Sequence, residues 1–102
     1  MAVIYADVND FDEKIKEGLI VLDFYADWCG PCKMIGPVLE AIDAENEDIK
    51  VVKVNVDENI SLAQRYGVQG IPALFVLKDS EVIGQRAGFM PKEALVNWVK
   101  SL

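Results

Sequence analysis

Cys29 and Cys32 are the only cysteines of the chain, two residues separate them, and there is no histidine. Two sulfurs at that spacing can ligate a metal, staple a fold or exchange disulfides. A tetrahedral zinc site needs four Cys, His or carboxylate ligands, and no second pair exists to complete one. A staple across so short a ring constrains little: chain entropy gives roughly 2 kcal/mol, against about 3 for a fifteen-residue loop. In a cytoplasmic chain such a bond would be kept reduced. Exchange fits the setting. The segment Trp28-Cys29-Gly30-Pro31-Cys32-Lys33 directly follows the apolar run Leu19 to Tyr25 and opens a helical stretch. At a helix N-terminus the free N–H groups and the dipole favour an anion, which lowers the Cys29 pKa below the free-thiol value of ~8.5. Pro31 loses nothing in the first turn, where its missing N–H would have had no partner. Cys32, three residues on, projects on the same side as Cys29. Cys29 is therefore expected to attack and Cys32, further into the helix and more buried, to resolve.

Other residues gain meaning from this pair. Asp23 is the one charge in Leu19 to Tyr25. Burial there raises its pKa toward neutrality and suits it to accept and return the Cys32 proton. Its plainer reading is a strand acid reaching water. Lys53, between Val52 and Val54, can lie near Asp23 or be an ordinary solvated strand lysine. Trp28, in the strand-to-helix loop, is expected to be a partly exposed wall of the site.

The elements that must position these groups can be read along the chain. Val3 to Ala6 is a short outer strand. Asn9 is placed to cap a helix carrying Phe11 and Ile15, with Gly18 at its exit. Leu19 to Tyr25 has the near-continuous apolarity of a strand covered on both faces. A helix from Pro31 to about Asn46 follows, with Met34, Val38, Leu39 and Ile42 inward, a kink at Gly36-Pro37, and the acidic cluster Asp43 to Asp48 as a solvated end. Val51 to Val56 is a strand and Ile60 to Tyr66 a short helix closed by Gly67. Leu74 to Leu77 and Val82 to Ala87 form a hairpin turning at Asp79-Ser80. Pro91 opens a last helix with Leu95, Trp98, Val99 and Leu102 on its apolar face, Trp98 being core. The order β-α-β-α-β-α-β-β-α predicts an α/β fold. Its core is a mixed five-stranded sheet flanked by four helices, in one domain over residues 1–102.

Bulk properties narrow the function further. Of 102 residues, 52% are hydrophobic, enough for a real core, and 10 Lys+Arg against 17 Asp+Glu give a net charge of −7. That balance opposes a nucleic-acid or anionic-membrane partner and suits solubility. No apolar run approaches the ~20 residues of a membrane span. MAVIYADVND lacks a basic start followed by a long apolar stretch, so a cytoplasmic chain is expected; one whose signal had been removed would read the same.

WCGPCK after LDFYAD, then NVDEN, GIPALFVLK and the AG before the last helix together resemble the thioredoxin family, in order and through essentially the whole chain. The resemblance implies a thioredoxin fold and reversible reduction of protein disulfides, with electrons from a thioredoxin reductase and no cofactor beyond the Cys29–Cys32 pair. It implies a buried acid at Asp23, a neighbouring cation at Lys53, and a cis bond between Ile71 and Pro72 facing the cysteines. The backbone of Ile71 could then pair with an extended substrate segment. Trp28, Gly30, Pro31, Ala87, Gly88 and Phe89 match the family's docking groove. Ala73 departs from the threonine common after this proline, and Phe89 is bulkier than expected, which narrows substrate choice. A monomer is expected, because the apolar rim is needed for transient docking. Two alternatives stay open: a redox-gated binding module without catalysis, and a more oxidising oxidase or isomerase on the same fold.

Overall fold

The computed structural model describes residues 2–102. The strands are β1 (Ile4–Tyr5), β2 (Leu19–Tyr25), β3 (Ile49–Asn55), β4 (Ala73–Lys78) and β5 (Glu81–Ala87). The helices are α1 (Phe11–Lys14), α2 (Gly30–Glu45), α3 (Ile60–Arg65) and α4 (Lys92–Ser101). The strands form one sheet in the order β1-β3-β2-β4-β5. The pairs β1–β3 and β2–β3 are parallel, whereas β2–β4 and β4–β5 are antiparallel. Strand β2 is central, and five of its seven residues are buried.

Alternation along β2 divides the core. Ile20, Leu22 and Phe24 face one side, where Phe11, Ile15 and Leu62 pack on them. Tyr66 adds edge-on and tilted contacts to Phe11, Phe24 and Phe75 at ring separations of 5.6, 5.5 and 5.2 Å. Val21 faces the other side with Val51, Leu74 and Val76, beneath Ile35, Leu39 and Ile42 of α2 and Leu95 and Val99 of α4. Asp23 continues the Val21 parity, so it lies on the face that α2 covers.

Several sequence expectations are corrected. The first helix is capped at Asp10, not Asn9. The Asp7 and Asp10 side chains instead bind each other's backbone N–H at 3.3 and 2.8 Å, and Asn9 only donates its N–H to Asp7. Met34 is 61% exposed, and Ile35 takes the inward position. Because α2 starts at Gly30, its apolar stripe runs through residues 35, 39 and 42. Asp43 is not part of a solvated end: it is buried, and its Oδ1 accepts the Val51 N–H at 3.3 Å, tying α2 to β3. Pro91 is the N-cap of α4, just outside the helix. Pro37 lies inside α2, as the expected span of the helix has it. Trp98 is half-buried against the second cluster, while Leu102 is exposed.

The β4–β5 turn has φ of 49° at Asp79 and 73° at Ser80, both positive as a two-residue hairpin of matching twist requires. The Asp79 Oδ1 accepts the Gly18 N–H at 2.9 Å, and its own N–H donates to the Gly18 carbonyl at 3.0 Å. The turn is thereby clasped to the entry of β2.

Two expected outcomes follow, both read by chemical denaturation. Ile35→Ala should cost about 2–5 kcal/mol, whereas Met34→Ala should stay within about 0.5. Ser80→Gly should stabilise by about 0.5–1 kcal/mol, because serine is strained at positive φ while glycine is not, even after its greater freedom in the unfolded chain is counted.

Candidate active site

Four residues separate the end of β2 from the start of α2, and two hydrogen bonds build the handover. The Cys29 N–H donates to the Ala26 carbonyl at 3.2 Å, which turns the chain out of the sheet. Cys29 is the N-cap of α2, with extended backbone. Its Sγ accepts the Cys32 N–H at 3.2 Å, so a sulfur does the work that a serine or aspartate oxygen usually does. Gly30 and Pro31 occupy the first two helical positions, where Pro31 removes a donor that would have had no partner.

Cys29 and Cys32 are joined in a disulfide with their Cα atoms 5.2 Å apart. The expected difference in burial between them is not seen: each is 3% exposed. In the oxidised pair both sulfurs are drawn against Ala26, Tyr25, Val56 and Ile71. The rim above is open. Trp28 is 70% exposed, Gly30, Pro31 and Phe89 are exposed, and Ile71 is half-buried. The Trp28 indole is pinned by its Nε1–H, which donates to Asp57 Oδ2 at 2.9 Å.

The Ile71–Pro72 peptide is cis, and it brings the Ile71 carbonyl oxygen within 3.8 Å of Cys29 Sγ. Strand β4 starts only at Ala73, so the backbone of Ile71 lies outside the ladder. Pro72 is buried, and its carbonyl accepts the Gly88 N–H at 2.8 Å. Gly88 adopts φ 93°, a conformation glycine takes without strain. Ala87 ends β5 opposite Ala73, which sets the 87–89 loop beside the proline. The residues singled out around the cysteines thus converge from β2, α2, the loop before β4 and the end of β5.

Asp23 is fully buried, and neither carboxylate oxygen has a hydrogen-bond partner. Burial pushes its pKa up from 3.8 to about 6, with Lys53 working in the opposite direction. The Lys53 Nζ stands 3.8 Å from Asp23 Oδ2, a loose ion pair between the inner strands β3 and β2. Lys53 is therefore not an ordinary solvated strand lysine. An open cleft of about 580 Å³ runs from Lys53 to Cys32 and is walled by Tyr5, Tyr25, Asp27 and Gly36. Water can enter there on the Cys32 side.

Asp57, Tyr25 and Tyr5 were not picked out from sequence. Asp57 lies in the NVDEN segment, where it reads as a loop acid, and nothing local points from it to Trp28. In sequence Gly36 signals only helix shape, although it is one helical turn beyond Cys32 and so shares its face.

A protein-family model described as Thioredoxin matches residues 2–101. The chain is 53% identical over 96 residues to a thioredoxin of Bacillus subtilis, covering 93% of this chain and 92% of that protein. It is 47% identical, with the same coverage, to a thioredoxin of Staphylococcus aureus. Among solved structures it is similar to a mutant thioredoxin from Halobacterium salinarum, with a TM-score of 0.89 and 38% identity. That alignment covers 98% of this chain and 89% of the other.

The buried carboxyl makes a stability test. Folded Asp23 holds its proton more tightly than the unfolded chain does, so its burial is best tolerated below pH 3.8 and becomes costly as pH rises through about 6. The difference corresponds to roughly 3 kcal/mol. Asp23→Asn should therefore be more stable than the parent at neutral pH by up to that amount. The gap should shrink between pH of about 6 and about 4 in denaturation series, and a gap independent of pH would contradict this reading.

Proposed function

From the premise that this chain belongs to the thioredoxin family and is a thioredoxin-type protein dithiol–disulfide oxidoreductase, we propose that it works in the reducing direction. Cys29 is the attacking thiolate and Cys32 the resolving thiol. The observation that carries the assignment is the Cys32 N–H directed at Cys29 Sγ at the mouth of a 16-residue helix. A donor and a dipole already aimed at that atom favour its anion, and the anion is the nucleophile.

The cycle has two displacements. The Cys29 thiolate attacks one sulfur of a substrate disulfide, forming a mixed disulfide and releasing the other substrate thiolate. Cys32 then attacks Cys29 Sγ, which frees the second substrate thiolate and closes the Cys29–Cys32 bond. The tether makes this second step intramolecular, and hence fast against competing thiols. Asp23 is the acceptor for the Cys32 proton: a carboxyl with a pKa of about 6 is part ionised near neutrality and can both take and return a proton. Lys53 keeps enough of it ionised.

Substrate docks as an extended segment along the rim. Trp28, Gly30 and Pro31 form one wall, and Ala87, Gly88 and Phe89 the other. The free backbone of Ile71 offers strand-like pairing beside Pro72. The rim selects for backbone shape and apolar contact, which suits many proteins and one dedicated reductase as electron donor. The chain acts as a single domain and a monomer, in the cytoplasm, carrying electrons from a thioredoxin reductase to protein disulfides with no cofactor beyond its own disulfide. The net charge of −7 supports solvated surfaces and no nucleic-acid role.

Turnover of a protein disulfide should vanish in Cys29→Ser, while Cys32→Ser should accumulate a mixed disulfide visible by non-reducing electrophoresis and mass spectrometry. Partner affinity that survived Cys29→Ser without any exchange in the parent would instead indicate a binding module. Equilibration against glutathione and dithiothreitol should give a midpoint on the dithiothreitol side. A strongly oxidising midpoint would reverse the direction of electron flow.

A further inference from the structure

The sheet register lines up a row of partners across three strands. Tyr5 on β1 pairs with Lys53 on β3, and Lys53 pairs with Asp23 on β2. The row runs from a ring that is 62% exposed at the sheet edge to a carboxylate with no access to water. Between them, the Lys53 Nζ lies 4.6 Å from the centroid of the Tyr25 ring and 5.7 Å from that of Tyr5. The two rings meet edge to face at 6.3 Å with an interplanar angle of 79°, so they form a corner. All three side chains wall the cleft that reaches Cys32.

An ammonium on a four-carbon stem at an open cleft gains hydration by swinging outward. At 3.8 Å, without a direct hydrogen bond, its hold on Asp23 is weak. Among the described residues Lys53 is the one cation within ion-pair distance of Asp23. The Tyr25 face, on the strand that carries Asp23, supplies an inward attraction that a water-filled cleft otherwise lacks, and Tyr5 packs against that ring and holds it in place.

We propose that Tyr5, together with Tyr25, is a positioning residue that seats the Lys53 ammonium in the cleft and so keeps it on Asp23 during the resolving step. This deepens the assignment of Asp23 as proton acceptor and rests on it. The other charged and titratable groups around the row are Asp7 after β1, Asp27 just past β2, Glu58 beyond Tyr25, and Cys32, Lys33 and Glu40 on α2. Leu74, the partner of Asp23 on β4, is apolar. Burial, followed by Tyr5, Asp27 and Glu58, raises the Tyr25 pKa, so its ring stays a neutral phenol throughout the working range.

The test separates the two displacements by mixing the reduced protein with an aromatic disulfide, ArS–SAr. Attack by the Cys29 thiolate forms Cys29–S–S–Ar and releases one ArS⁻. Attack by the Cys32 thiolate, its proton having passed to Asp23, closes the Cys29–Cys32 disulfide and releases the second. The two coloured thiolates appear as successive phases in stopped flow. Removing the seat lets Lys53 drift from Asp23, so the carboxyl holds its proton to higher pH. In Tyr5→Ala the acid limb of the second phase should move upward, slowing that phase about two- to fivefold on the limb, with the first phase unchanged. Tyr5→Phe keeps the ring and should restore the parent profile. Lys53→Gln should move the limb at least as far, and adding Tyr5→Ala to it should change nothing more. Thermal unfolding of Tyr5→Ala checks that the exposed edge residue has not disturbed the fold. If Asp23→Asn leaves the limb in place, the proton-acceptor assignment falls. If Asp23→Asn removes the limb but Tyr5→Ala leaves it where it was, or shifts it equally in the Lys53→Gln background, the seat falls.

Discussion

A helix leaves its first N–H groups without partners in its own ladder, and something outside must take them. In α2 that partner is the sulfur of Cys29, which accepts the Cys32 N–H. Much of the site follows from this substitution of sulfur for oxygen. It fixes the cysteine at the strand-to-helix corner and directs a donor at it before any substrate arrives. It also places the second cysteine at the third helical position, where the two sulfurs can bond. Between them, Gly30 adds no side chain and Pro31 no donor that would compete.

Asp23 shows the opposite economy. A carboxyl with no hydrogen-bond partner in the central strand of the sheet weakens the fold once ionised, and a hydrophobic residue there would pack better. Val21, two residues earlier on the same face, shows what that position otherwise holds. The placement is consistent with the proposed role of Asp23 as a proton store for Cys32. Lys53 moderates the cost without cancelling it, since its ammonium stays at the cleft and only approaches the carboxylate.

Much of this was legible from residues alone. The strand order, the helix opening at the cysteines and the odd charge at position 23 are written in periodicity and in the near absence of polar residues from Leu19 to Tyr25. The resemblance supplied what periodicity could not: the roles of Pro72 and of the 87–89 loop, whose residues come from distant parts of the chain. What stayed hidden depended on register or on the phase of a helix. A shift of one residue at the start of α2 moves Met34 outward and Ile35 inward. The acid at position 43 looks like its neighbours in a charged run until β3 is laid beside it and offers the Val51 N–H. Tyr5 means nothing until parallel pairing places it against Lys53. Likewise, the Asp57–Trp28 bond joins residues 29 positions apart.

The bond between the Gly88 N–H and the Pro72 carbonyl stiffens one bank of the groove, because it ties the start of β4 to the turn after β5. With Trp28 held by Asp57 on the opposite bank, both walls of the proposed docking groove are pinned by hydrogen bonds. In the proposed docking mode a visiting polypeptide would do the bending, and the loss of chain freedom would fall on the visitor. Targets whose disulfide sits on a frayed or extended strand would enter readily. Tightly folded ones would first have to loosen, so such a groove would sort its clients by local mobility as well as by sequence.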